Sequence, residues 1–178
     1  MRRTNFRTAG AVIAAALVLL LAAPSAAEVI DRIMAVVAGQ PVTLSDVNAA
    51  LRFNRVDVPP NTRDPLAYAL DRVIERQLML AEVDRFQPPE PAPVEINLRL
   101  QELEQRAGSA AAFAKALAVT GITREQLRAQ IRDDLRIATY LNQRFGPAPD
   151  AADRAKAAAA WVAELRRRAE VTVQYVAK

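Results

Sequence analysis

The chain contains no histidine and no cysteine. It therefore lacks the side chain that most often serves as general base near neutral pH, and the two commonest transition-metal ligands. Without cysteine it has no thiolate nucleophile, no disulfide and no thiol for a lipid anchor. Glycine is scarce, five in 178 residues and each isolated, so no glycine-rich phosphate loop is present. Acidic residues are missing altogether before Glu28. Stability has to come from packing alone, and no enzyme or cofactor is nominated; the expectation is a non-enzymatic protein that uses none.

The charged residues that are present nominate little chemistry. Asp133 and Asp134 are the only adjacent acidic pair, within Arg132-Asp133-Asp134-Leu135-Arg136. They read either as a metal or acid–base pair or as carboxylates neutralised by flanking arginines on a wet helix face, and the second reading is preferred. Arg128, Arg132 and Arg136 form an i, i+4 stripe that would either meet an acidic partner or lie solvated. Arg166-Arg167-Arg168 suits the last turn of a helix, where cations oppose the macrodipole. Trp161 is expected to be a core anchor.

Arg2, Arg3 and Arg7 precede an uninterrupted apolar run of 13 residues, Ala11 to Ala23, and then Pro24-Ser25-Ala26-Ala27. A membrane-spanning helix needs ~20 apolar residues, so residues 1–27 read as a secretory signal peptide cleaved after Ala27, with a retained anchor as the alternative. Sec export to the periplasm follows, with no stable membrane insertion after cleavage. Residues 28–178 remain as one domain. Only three of the 24 basic residues leave with the leader, so the formal net charge falls from +4 to +1. Interspersed charge of that size makes no concentrated basic face for nucleic acid.

Val29 to Val37 is rich in β-formers and Val42 resumes the pattern, so a hairpin is expected with strands near 29–37 and 40–43, turning at Gly39. Thr43-Leu44-Ser45-Asp46 resembles a capping box in which Asp lacks the reach of Glu, and either Thr43 or Ser45 would cap a helix to about Asn54. Asp64-Pro65 opens a helix over 65–86 with a broad apolar face. After Pro88-Pro89-Glu90-Pro91-Ala92-Pro93, residues 94–107 fit both alternation (Val94, Ile96, Leu98, Leu100) and helical spacing (Ile96, Leu100, Leu103, Ala107). Length and the Glu, Gln and Arg content favour helix. Further helices are expected at 110–119, at 124–145 behind the Thr123-x-x-Gln126 box, and from a cap at Asp150 to about Glu170. Val171 to Val176 alternates as a strand. An isolated hairpin is marginal in water, so this last strand should pair with the first hairpin. The fold class is mainly α: a bundle of about six helices with a small antiparallel sheet made from an N-terminal hairpin and a C-terminal strand.

The stretch from Val29 to Val47, Val-Ile-Asp-Arg-Ile-Met-Ala-Val-Val-Ala-Gly-Gln-Pro-Val-Thr-Leu-Ser-Asp-Val, resembles the opening of the SurA-type periplasmic chaperones. Leu70 to Leu80, Gly121 to Arg128, Ile131 to Leu135 and Ala160 to Arg166 with the 171–176 strand are similar to later parts of that family. The likeness spans nearly all of 29–177. Two departures stand out. Relatives often turn the hairpin with Asn-Gly, whereas Ala38-Gly39 stands here; since alanine resists positive φ, a type II′ turn centred on Gly39-Gln40 is expected in place of type I′. Relatives also carry parvulin-type prolyl isomerase domains before the closing helix, with a pocket containing His and Cys. Here only Gly146 to Asp150 occupies that place, so the resemblance implies the chaperone core without the isomerase.

That resemblance implies an ATP-independent holdase whose partners are unfolded client polypeptides, chiefly outer-membrane β-barrel proteins. Proline-separated helices with long apolar faces would leave grooves for extended aromatic-rich segments. Phe53, Met79, Phe86, Phe113 and Tyr140 are the candidate lining residues, each alternatively plain core. The competing function is an envelope adaptor that binds one folded partner. A homo-oligomer stays open.

Overall fold

In the computed structural model, residues 31–146 and 151–176 are described, and the signal-peptide reading of 1–27 and the cap at Asp150 lie outside them. The hairpin pairs β1 (Ile33–Val37) with β2 (Gln40–Thr43), antiparallel, with Val37 opposite Gln40. Ala38 and Gly39 are the two central turn residues, at φ 49° and 80°. Positive φ at both is the type I′ geometry, so the expected type II′ turn is corrected. The I′ turn matches the twist of the flanking strands, and the Ala38 N–H gains a bond to the Glu170 carbonyl at 2.9 Å that offsets the alanine's strain.

Of the strand expected over 29–37, residues 29 and 30 lie outside the described residues, and Asp31 and Arg32 are outside β1 because they have other work. The Asp31 carboxylate takes the Ser45 N–H at 3.2 Å and the Ser45 hydroxyl, and the Arg32 carbonyl takes the Leu44 N–H. Helix α1 (Leu44–Arg52) is capped by Thr43, whose hydroxyl accepts from Asp46 N at 3.3 Å, while Asp46 Oδ2 accepts from Thr43 N at 3.1 Å. Aspartate does reach, so that expectation is also corrected. The helix stops two residues before the expected Asn54, which sits at φ 49°.

Helix α2 (Pro65–Phe86) starts on the Asp64 cap, bonded to Ala67 N at 2.8 Å, and ends in left-handed Gln87. Helices α3 (Pro93–Arg106), α4 (Ala110–Thr120) and α5 (Arg124–Phe145) follow, the last two capped by Ser109 and Thr123. The expected 94–107 segment is thus helical as far as Arg106, with Ala107 as its cap, rather than extended: Ile96, Leu100 and Leu103 are buried while Val94 and Leu98 face outward. α6 (Ala151–Arg168) buries Trp161, Val162 and Leu165. β3 (Val171–Val173) pairs antiparallel with β1, giving the order β2-β1-β3. It ends before the expected Val176 because Gln174 N and Tyr175 N both converge on the Met34 carbonyl, leaving the ladder. Mainly helical, with the chain's first hairpin and last strand in one sheet, this is the fold class expected.

Two apolar cores result. One joins the sheet (Met34, Val37, Val42) to α2 (Leu70, Ile74, Leu78), the second half of α5 (Ile137, Tyr140) and α6. The other joins the end of α1 (Ala49) and Phe53 just past it to α3, α4 and the first half of α5 (Leu127, Ile131). Among the described residues no helix is long and apolar enough to cross a membrane.

Candidate functional site

A cleft of about 600 Å³ opens where α1, α2 and α5 meet. Its apolar lining comes from Val42, Ala50, Val56, Val73, Leu80 and Ile137, and its polar lining from a linked set of charges. Asp134 accepts from Arg55 Nε at 3.0 Å and also pairs with Arg76. Arg55 reaches Gln130 Oε1, Gln130 Nε2 donates to Asp46 Oδ1 at 2.9 Å, and Arg76 Nη2 donates to the Gln130 carbonyl at 2.9 Å. Three helices and the 53–64 loop are tied together by this chain of bonds. Every carboxylate in it is already engaged by a cation or an amide, so it offers no free base.

The acidic pair is therefore neutralised, Asp133 by the flanking arginines as expected and Asp134 by others. Asp134's cations come from Arg55 and Arg76, distant in the chain, and Asp133 is only 18% exposed, beside Arg132 and Arg136. The arginine stripe is only in part the solvated face expected, since Arg132 is exposed, Arg128 half-buried and Arg136 buried. Arg136 is buried, with Asp84 at 2.8 Å and Glu90 at 3.3 Å, Arg132 pairs with Asp133, and Arg128 bonds Asn97. Arg166 crosses to Asp71 at 2.5 Å, and Arg167 and Arg168 both reach Glu164. At the cleft wall, burial pushes the Glu75 carboxyl above its ordinary range, against the opposing charge of Arg72. Among the described residues no group of three or more carboxylates is placed to hold a metal ion.

The five candidate lining residues do not share one surface. Phe53 and Phe113 are buried against each other in the helical core, ring centroids 5.8 Å apart. Tyr140 is buried in the sheet-side core beside Trp161. Met79 is half-buried and lines the cleft. Phe86 alone is exposed, at 59%, with its ring 5.3 Å from that of Tyr140.

Phe86 begins a strip that sequence reasoning did not single out. After it runs the proline-rich strap 87–92, pinned at buried Pro88 and by Glu90 to Arg136, and beyond lie Val94 and Leu98, 61% and 53% exposed. At 3.6 residues per turn, Val94 and Leu98 stand within ~40° of each other, on the side of α3 opposite Ile96, Leu100 and Leu103. Gln101 and Gln105 continue that outward row, so it carries no charge. The signal was present in the sequence: apolar residues on both sides of α3 are what made it read equally as a strand. Arg55 and Arg76 gave no such signal, because an ion pair across 79 or 58 residues leaves no local pattern.

Compared with known proteins, the chain matches no family model and no curated protein sequence.

Proposed function

We propose that this protein is an ATP-independent holdase of the periplasm, a chaperone core of SurA type without an isomerase, that keeps unfolded outer-membrane proteins from aggregating. The observation that carries the reading is the exposed apolar strip of Phe86, Val94 and Leu98 on either side of the pinned proline strap. A folded domain gains nothing from leaving these three side chains in water, and exposed apolar surface is what an unfolded client would be offered. Further support comes from the leader-like residues 1–27 and from the resemblance of the Val29 to Val47 stretch. The absence of histidine and cysteine gives no competing catalytic reading.

Diluting a urea-unfolded barrel protein into buffer with a stoichiometric excess of this protein should suppress light scattering. A combined Phe86→Ala, Val94→Ser, Leu98→Ser variant should melt within a few degrees of the parent yet lose the suppression, since exposed sites contribute little to stability. Scattering that is unchanged by the parent protein refutes client holding. Recovery of one stoichiometric folded partner from envelope extracts, in place of many unfolded ones, would establish the adaptor function instead.

A further inference from the structure

The sheet has two outer edges, and they differ in what they offer. In β2, Gln40 and Val42 turn their backbones toward β1, which leaves Pro41 and Thr43 facing outward. Proline has no N–H, and the Thr43 N–H is already bonded to the Asp46 carboxylate at 3.1 Å. That edge has no donor to give.

The β3 edge is different. Ala38 N donates to Glu170 O at 2.9 Å and Gln174 N to Met34 O at 2.8 Å. Backbone groups alternate sides in an antiparallel pair, so Glu170, Thr172 and Gln174 face β1, while Val171 and Val173 direct N–H and C=O outward. Thr172, Val173 and Gln174 are exposed, and nothing covers them among the described residues. Sheet edges are usually guarded by short length, lysine, proline or a bulge, and β3, at three residues, has only the first of these. The run from Val171 to Val176 contains no charge, proline or glycine.

We propose that the outer edge of β3 is a strand-addition site for an extended, uncharged, β-prone segment of an unfolded polypeptide, held by backbone bonds to Val171 and Val173. This rests on the client-holding reading and specifies the conformation in which the client is held. Donor–acceptor pairs two residues apart on a flat edge match only another strand. A second copy of the chain is a poor occupant: three residues at ~3.3 Å each give an edge ~10 Å long, and a pairing that short buries much less than the ~800 Å² per partner that a standard protein–protein interface takes. Backbone bonds read no side chains, so one edge serves many sequences, and so few bonds let go without ATP.

The probe is a short fluorescein-labelled peptide of alternating valine and threonine, compared with the same peptide N-methylated at every backbone nitrogen, so that neither of its edges can donate. The first should bind and the second should bind about tenfold more weakly or worse, the loss of a hydrogen bond or two. Val173→Pro deletes an outward N–H and leaves every β1-facing bond, so it should weaken the unmodified peptide by a similar factor while circular dichroism and the melting midpoint stay near the parent's. Equal binding by a folded Val173→Pro variant overturns the proposal. Should that variant misfold, equal binding of the N-methylated peptide to the parent protein overturns it just as well, as does no binding of either peptide. A dimer seen in sedimentation and abolished by Val173→Pro would assign the edge to a second copy and overturn the client as occupant. Suppression of scattering that survives Val173→Pro rejects strand addition and leaves client holding intact; peptide binding at the edge with no suppression does the reverse.

Discussion

The sheet-side core draws on residues as far apart in the chain as Met34 and Leu165, whereas the helical core takes most of its members from between Ile96 and Ile131. The first depends on bringing the ends of the domain together, at the cost of a long loop closure. The second is assembled from neighbouring helices whose contacts are local and quickly made. Two elements refuse the division: α1 sends Val47 to one core and Ala49 to the other, and α5 places Leu127 and Ile131 in one, Ile137 and Tyr140 in the other. The cores are therefore joined by continuous helices and by the Asp46–Gln130–Arg55–Asp134–Arg76 bonds beside the cleft. The surfaces argued to bind clients divide the same way, with Val94 and Leu98 on the helical side and β3 on the other.

Truncating one buried side chain in each core tests that joining most severely. Phe113→Ala should cost ~3–5 kcal/mol and Ile74→Ala ~2–5 kcal/mol. Because α5 runs through both, each should lower the midpoint of a single calorimetric transition. Two resolved transitions would show two independent folding units.

Deleting residues 171–178 should strike the sheet-side core first. Several backbone bonds at about 1 kcal/mol each put the loss at roughly 2–4 kcal/mol, with hydrogen exchange accelerating in β1 before α3. A truncated protein that melts unchanged would mean that this core does not need the terminal strand.

Asp134→Ala removes the carboxylate shared by Arg55 and Arg76. Since Asp134 is partly exposed, water softens the loss to about 1–2 kcal/mol, readable by urea titration. Ala38→Gly acts in the opposite sense. It relieves a left-handed alanine and should raise stability by about 0.5–1 kcal/mol, unless the Ala38 N–H bond to Glu170 loosens with it.

The smallest effect concerns the clip between Tyr175 and Asp64, whose hydroxyl and carboxylate lie 2.9 Å apart. The Ala67 N–H, helped by the Tyr175 hydroxyl, holds the Asp64 carboxyl below its ordinary range. Its contribution is therefore complete above that range and is lost as pH falls through the lowered value. The bond to Asp64 raises the Tyr175 hydroxyl above its ordinary value of about 10. That contribution is complete below the ordinary value and is lost as pH rises through the raised one. Tyr175→Phe should remove the alkaline limb of the stability–pH curve; an unchanged limb would place it on another tyrosine.

Much of this architecture was legible from residue order. Asp64-Pro65 marks the start of α2, Thr123-x-x-Gln126 that of α5, and the alternation after Glu170 marks β3, because caps and periodicity are local chemistry. The hairpin turn was misjudged because alanine's intrinsic cost was weighed without the Glu170 carbonyl that receives its N–H. Of the candidate lining residues, Phe53 and Phe113 are the same side chain as Phe86, and only packing separates them. Phe86 is the last residue of α2, where the helix runs past the surface it covers.

By itself the sequence determined where helices begin, where prolines break them, and that a chain without cysteine must be held by packing in place of disulfides. Those properties reside in each residue and its near neighbours. The tertiary structure alone decided which of the two sheet edges keeps free donors, which aromatic side chains remain in water, and which arginines meet Asp134. Each of those depends on groups brought together from distant parts of the chain, and no local pattern records such a meeting.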